Sequence, residues 1–185
     1  MSNQIPRLSI QDMPPALAHF LEPRVKRLDY LGEFFQCTAH QPEALLSFLE
    51  FTENLKHALP ANLTEIIALS IAVLMKNDYE RVQHERLSLK LGFNKEWLGE
   101  VLSVATDGHK LLTEQESLVQ QLTLAVAQRG GRNTTAEFEA VIRSIGAARA
   151  IAALMLIGRY MAHALIVNTL DLSPPAVAVS QENAA

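Results

Sequence analysis

The chain has 185 residues, with 20 Asp and Glu against 16 Lys and Arg and a formal net charge of -4. At 49% hydrophobic and 19% charged residues it reads as one folded domain with a full-sized core, not a disordered segment. No basic block or aromatic–basic interleaving is present, so nucleic acid is not an expected partner. The single cysteine, Cys37, excludes an internal disulfide and a thiolate metal cluster.

The opening residues, MSNQIPRLSIQDMPP, lack a charged-then-apolar leader pattern. From there the chain is dense in helix punctuation and nearly free of the alternation that marks strands. The pattern predicts helices over 14–21, 24–38, 42–57, 63–76, 78–91, 95–105, 114–129, 135–143 and 146–170. Pro23 and Pro42 suit first helical positions, because proline has no N–H to leave unpaired there. Asn94 precedes one helix, and Gly92 suits a left-handed helix end. Thr113 with Glu116, and Thr134 with Glu137, both read as capping boxes. Residues 129–133 form a loop, and Pro174-Pro175 follows the last helix. A single domain over 1–175 is expected, with 176–185 as a frayed tail.

The last helix is apolar over most of its circumference, with Arg149, Arg159 and His163 as exceptions. A helix of that kind is buried in a core or an interface. A homo-oligomer is therefore expected, in which Arg149 and Arg159 need carboxylate partners, a neighbouring subunit being one source. The longest apolar runs, 66–75 and 150–158, fall short of the ~20 residues a membrane span needs. A cytoplasmic protein without membrane contact is the default expectation.

The richest stretch for chemistry is 63–92. Asn77 and Glu80 have the spacing of a helix start, and one reading of Glu80 is a capping carboxylate with no chemistry. His84 is four residues on, hence on the same helix face. Glu80 could orient one imidazole nitrogen and leave the other free for a substrate. The alternative is a partly exposed histidine on a charged face, since Glu85 and Arg86 follow. Glu65 lies on an apolar helix, where an acid needs a partner or a raised pKa. Glu65, Glu80 and His84 offer no clear fourth metal ligand, so neither a metal nor another cofactor is expected. Cys37 reads as an inert packing residue, His40 as a helix-end residue, and His109 as a loop residue that is exposed or borders a pocket. No phosphate-binding glycine loop, nucleophile elbow or HExxH motif occurs.

Glu65, then Asn77-Asp78-Tyr79-Glu80, then His84 with Leu91-Gly92-Phe93, resembles the core of the carboxymuconolactone decarboxylase and alkylhydroperoxidase D superfamily. Thr38 to Leu46 (TAHQPEALL) resembles the family's helix entry. Gly158 to Met161 and Asn168 to Pro174 resemble its closing helix, so the likeness extends over about 30–175. In the thiol branch a CxxC pair stands where this chain has Asn77 and Glu80. The likeness is to the non-thiol, decarboxylase-like branch. Without the two thiols the disulfide relay is not expected.

The resemblance implies an all-α, AhpD-like fold built around the helical hairpin 63–91, and assembly from dimers to hexamers. It implies acid–base chemistry on a small carboxylated or lactone-type substrate, with no cofactor. His84 would deliver a proton to the enolate left by decarboxylation, held by Glu65 or Glu80. Tyr79, Asn77 and Arg81 would contact substrate, with Arg81 or Arg86 offsetting the charge of Glu80. The amides at 78–81 would attract a carboxylate. Replacing His84 by alanine should remove activity and leave the fold intact. Two alternatives stay open: a peroxidase-related antioxidant protein that lacks the CxxC pair, and a non-catalytic oligomeric binding protein.

Overall fold

A computed structural model of the chain describes residues 5–105, 108 and 110–174. Among these residues there are nine α-helices and no strand. They are α1 (Pro15–Leu28), α2 (Glu33–Thr38), α3 (Pro42–Ala58), α4 (Ala61–Leu74), α5 (Asp78–Lys90), α6 (Lys95–Ser103), α7 (Glu114–Arg129), α8 (Thr135–Ile145) and α9 (Ala147–Thr169).

Helix α4 is the axis of the fold. Every residue from Leu63 to Ala72 is buried, because α5, α7 and α9 pack around it. This explains why its sequence is apolar on all sides. The main core joins α4 to α6, α7, α8 and α9 through residues such as Ile67, Val101, Leu122, Val141 and Leu156. A second cluster gathers Leu17, Leu21, Phe34, Leu45 and Leu49 of α1–α3 against Tyr79 and Val167.

The α4–α5 hairpin turns at Lys76, whose φ is +52°. The Asn77 N–H returns to the Ala72 carbonyl at 2.8 Å. The Asn77 side chain then accepts from the Glu80 N–H at 3.2 Å, which starts α5.

The structure departs from the sequence reading at four places. The expected helix 24–38 does not form: α1 runs through Pro23 to Leu28, and α2 starts anew at Glu33. Pro23 and His19 are both exposed, so the carbonyl that proline leaves without a helical donor is on the solvent side. Asp29 ends α1 in the left-handed conformation at φ +62°. Gly32 caps α2 against the Tyr79 hydroxyl, where a Cβ would overlap the oxygen. The second expected capping box is also absent. Thr134 makes no capping hydrogen bond, its hydroxyl donates to the Gly131 carbonyl at 3.2 Å, and Glu137 accepts from Arg129 at 2.8 Å. The Thr113–Glu116 box is present.

Third, α9 is 23 residues long and, by length and composition, apolar enough to cross a membrane, which the shorter apolar runs did not suggest. In this fold 56% of its most apolar window is buried against the other helices. Fourth, Arg149 is exposed and needs no partner, while Arg159 faces Glu80 of its own chain. The expected tail 176–185 and His109 lie outside the described residues.

Candidate functional site

Three helices bring the site together. Glu65 comes from the first turns of α4, Glu80 and His84 from α5, and Arg159, Tyr160 and His163 from α9. Glu80 and His84 are one helical turn apart, as are Arg159 and His163, so each pair shares a helix face. All of these residues are buried, with Glu65 at 2% and His84 at 5% exposure.

The polar groups form a continuous chain. His84 Nδ1 lies 2.8 Å from Glu65 Oε2, which also accepts from the Ser88 hydroxyl at 3.2 Å. His84 Nε2 lies 3.0 Å from Glu80 Oε2 and 3.2 Å from the Tyr160 hydroxyl. The other oxygen of Glu80, Oε1, lies 3.0 Å from His163 Nε2. The sequence is Glu65–His84–Glu80–His163.

The charge states follow from that order. Burial disfavours a cationic His84, but Glu65 and Glu80 on its two nitrogens outweigh it and raise its pKa to about 9. Burial likewise opposes ionisation of Glu80, and the two histidines overcome it, holding the carboxyl well below its ordinary range. For His163 burial wins, with the charges of Arg159 and His84 adding to it, and its pKa is lowered. The consistent state at neutral pH has Glu65 and Glu80 anionic, His84 and Arg159 cationic, and His163 neutral. Those four charges cancel, so a further proton on His163 has nothing to compensate it. His163 then donates from Nε2 to Glu80, and its buried Nδ1 is left with no hydrogen-bond partner.

A cavity of about 220 Å3 opens beside this chain, lined in part by Glu80, His84, Tyr160 and His163. Six of its lining residues are Arg or Lys, and Glu80 is the one acidic residue among them. Among the described residues no group of three or more His, Cys, Asp or Glu is placed to hold a metal ion.

The structure brings Glu65, Glu80 and His84 into direct contact, and it changes what each can do. His84 has no free nitrogen, contrary to the expectation that one would face a substrate. Glu80 does not cap α5 with its carboxylate but turns inward to two histidines. Asn77 is buried and occupies the Glu80 amide, so that amide is not open to a ligand. Arg81 pairs with Asp78 and Glu85 and is not among the cavity's lining residues. Arg86 does line it. Tyr79 lines the cavity too, with its hydroxyl accepting from the Phe34 N–H at 3.3 Å. Because His84 stands between two buried carboxylates, His84→Ala would leave both uncompensated, so the expected intact fold is not what this geometry predicts.

The sequence reading expected a carboxylate partner for Arg159 but did not place it in the site, noted His163 only as an interruption of an apolar helix, and did not single out Tyr160, Ser88 or Lys56 as site residues. The four-residue spacing of Arg159 and His163 was the available signal. Cys37 is buried, and burial pushes its thiol pKa up. It lines a separate apolar groove. His40 contacts the Pro6 carbonyl at 2.9 Å.

Comparison with known proteins gives a family match over part of the chain and a likeness of fold. The model of the carboxymuconolactone decarboxylase family matches residues 42–118, which hold Glu65, Asn77, Tyr79, Glu80 and His84 but not α9. No curated protein matches the chain by sequence. In three dimensions it is similar to an alkylhydroperoxidase AhpD core, an uncharacterised peroxidase-related protein from Ralstonia eutropha JMP134. That match has a TM-score of 0.78 at 15% identity and covers 91% of this chain and 90% of the other. It is similar to a cysteine-to-alanine variant of the debrominase Bmp8, solved with 2,3,4-tribromopyrrole, with a TM-score of 0.80, 15% identity, and 95% and 94% coverage. A third likeness is to a protein of unknown function from Agrobacterium tumefaciens, a putative antioxidant defence protein AhpD, with a TM-score of 0.66, 16% identity, and 76% and 96% coverage. At these identities the structural matches speak for the fold, and the family model speaks for the hairpin that carries the acid–base residues. The chain is thus similar to the carboxymuconolactone decarboxylase family over residues 42–118 and to AhpD-like structures in its fold.

Proposed function

We propose that this chain is a cofactor-independent acid–base enzyme of the carboxymuconolactone decarboxylase kind, acting by decarboxylation or proton transfer on a small carboxylated or lactone-type molecule. The observation that carries the reading is the buried chain Glu65–His84–Glu80–His163 ending beside a cation-lined cavity. Loss of carbon dioxide breaks a C–C bond and leaves its electron pair on carbon, delocalised into the neighbouring carbonyl as an enolate. That carbon then takes up a proton.

His84, cationic at neutral pH, stores one proton between two carboxylates. Delivery of that proton from His84 Nε2 to the substrate carbon leaves His84 neutral and still held at Nδ1 by Glu65, while neutral His163 keeps the Glu80 carboxylate in place. The surrounding arginines and lysines favour an anionic substrate and offset the charge of Glu80.

The names of two structural neighbours favour a second reading, peroxidase-related chemistry. In this chain such chemistry would have to run through a buried thiol, Cys37, or without a thiol. Assembly as a homo-oligomer belongs to the proposal as well. Ile151, Met155 and Leu165, at 44–58% exposure, give α9 an apolar outer face for it.

The test is proton NMR in D2O with a panel of carboxylated γ-lactones and their open-chain dicarboxylates. Conversion of a panel member, with deuterium placed at the carbon that lost or exchanged a group, is the expected result. The His84→Gln and His163→Gln variants should lose it. Conversion that survives both substitutions removes the acid–base assignment.

A further inference from the structure

Arg159 is more elaborately held than a core arginine needs to be. It is 8% exposed. Its Nε donates to the Thr52 hydroxyl at 2.9 Å. Its guanidinium lies over the rings of Phe48 at 4.9 Å and Tyr160 at 4.5 Å. These three contacts fix the plane of the fork and leave its end unused: NH1 is buried and has no hydrogen-bond partner. The nearest carboxylate oxygen, Glu80 Oε1, is 3.7 Å from NH1, too far to accept a hydrogen bond. Glu80 is already shared between two histidines. An orphaned guanidinium N–H is rare in a native interior and asks for an explanation.

Lys56 supplies a second, independent observation. It reaches the same cavity from α3 and is half-buried. It makes no ion pair among the described residues, and burial together with the nearby Arg159 pushes its ammonium pKa down. Among the described residues Arg159 has only the 3.7 Å contact with Glu80 and Lys56 has no ion pair, so two cationic groups face one small cavity, and an anion between them would relieve their repulsion.

We infer that Arg159 and Lys56, with Thr52 as positioning residue, form a recognition subsite for one carboxylate group of a small organic acid. A planar fork with a free edge matches a planar carboxylate, and the ammonium adds a point charge beside it. A cavity of about 220 Å3 holds roughly seven water-sized groups, which suits a compact acid. The inference rests on the proposed function only for the substrate's identity, because anion binding can be read without turnover.

The experiment follows the arginine Nε–Hε signals of the whole chain by NMR during titration with benzoate and succinate, their neutral amides, and inorganic phosphate. The carboxylates are expected to shift the Arg159 signal, and their amides to bind at least about tenfold more weakly. Lys56→Gln should weaken carboxylate binding about tenfold, and Arg159→Gln should abolish it. Lys56 is half-buried, so its variant reports even if the Arg159 variant does not fold. Equal binding of acid and amide, or unchanged carboxylate affinity in Lys56→Gln, overturns the subsite. Tighter binding of phosphate than of either carboxylate overturns its ligand class. If the carboxylates bind as expected but His84→Gln changes no turnover, the subsite stands and the acid–base reading falls. If turnover depends on His84 while Lys56→Gln alters neither carboxylate binding nor KM, the reverse holds.

Discussion

Two hollows in this protein share a wall and have opposite chemistry. The groove between α2, α3 and α9 has a volume of about 620 Å3 and is lined mainly by residues such as Phe34, Cys37, Leu45, Phe48 and Ile166. The cavity beside α5 is about a third of that size and is lined by six cations and a buried carboxylate–imidazole chain. Phe34 and Phe48 separate them. Each lines the groove. Phe34 also lies 4.1 Å from the His163 ring, and Phe48 is 4.9 Å from the Arg159 guanidinium. The larger hollow marks where apolar surface gathers. The smaller one marks where protons can move, because only there do titratable groups meet in hydrogen-bonded contact out of water. Size alone would have pointed to the wrong hollow for acid–base chemistry.

The contrast can be broken most sharply at His84. His84→Ala leaves Glu65 and Glu80 buried and uncompensated, so a loss of about 3–5 kcal/mol in unfolding free energy is expected by denaturant titration. An unchanged midpoint would mean that the two carboxylates are not a charged pair across the imidazole. The wall itself comes next. Phe34→Ala should destabilise by ~3 kcal/mol and move the His163 titration, because it opens the groove onto that ring. A shift in stability with an unaltered His163 titration would show that the wall only packs.

The pH dependence around neutrality belongs to the small cavity. His84 has a folded pKa raised to about 9 from 6.5. Its contribution, of order 3 kcal/mol, is therefore complete below pH ~6.5 and lost as pH rises through about 9. Glu80 is depressed below its usual 4.5, so its contribution is present above that pH and lost on further acidification. His163 is also lowered, and its contribution is present above pH ~6.5 and declines below it. Denaturation midpoints measured across pH should peak near neutrality and fall on both sides; a flat alkaline limb would contradict the doubly held His84. The smallest effect is expected in the groove. Cys37→Ala should change stability by about 1 kcal/mol and leave the shape of that pH profile unchanged. In the unaltered protein, Cys37 should react slowly with thiol reagents, because it is buried and its thiolate is disfavoured. Fast labelling would reopen a thiol role.

Much of the fold was legible because its signals are local. Asn77 and Asn94 start helices through their own side chains, and Thr113 with Glu116 closes a capping box within four residues. Thr134 with Glu137 carries the same letters and fails, since Arg129 from the preceding helix takes the glutamate. Pro23 read as a helix start because proline fits there, yet α1 passes through it on its exposed side. In each failure a partner or a solvent-facing surface outside the local window decided the outcome.

The candidate site divides along the same line. The sequence by itself determined the all-α class, the α4–α5 hairpin and the one-turn spacing of Glu80 and His84, because backbone periodicity places residues four apart on one face. It also determined that Asn77 and Glu80 cannot act as a dithiol pair. Only the tertiary structure decided that Glu80 faces two histidines, that neither nitrogen of His84 is free, and that Arg159 and His163 reach the cavity from a helix some eighty residues away in sequence. Which groups lose water together, and so which protons and charges they share, depends on how α9 packs across α4 and α5. No spacing along the chain encodes that packing directly.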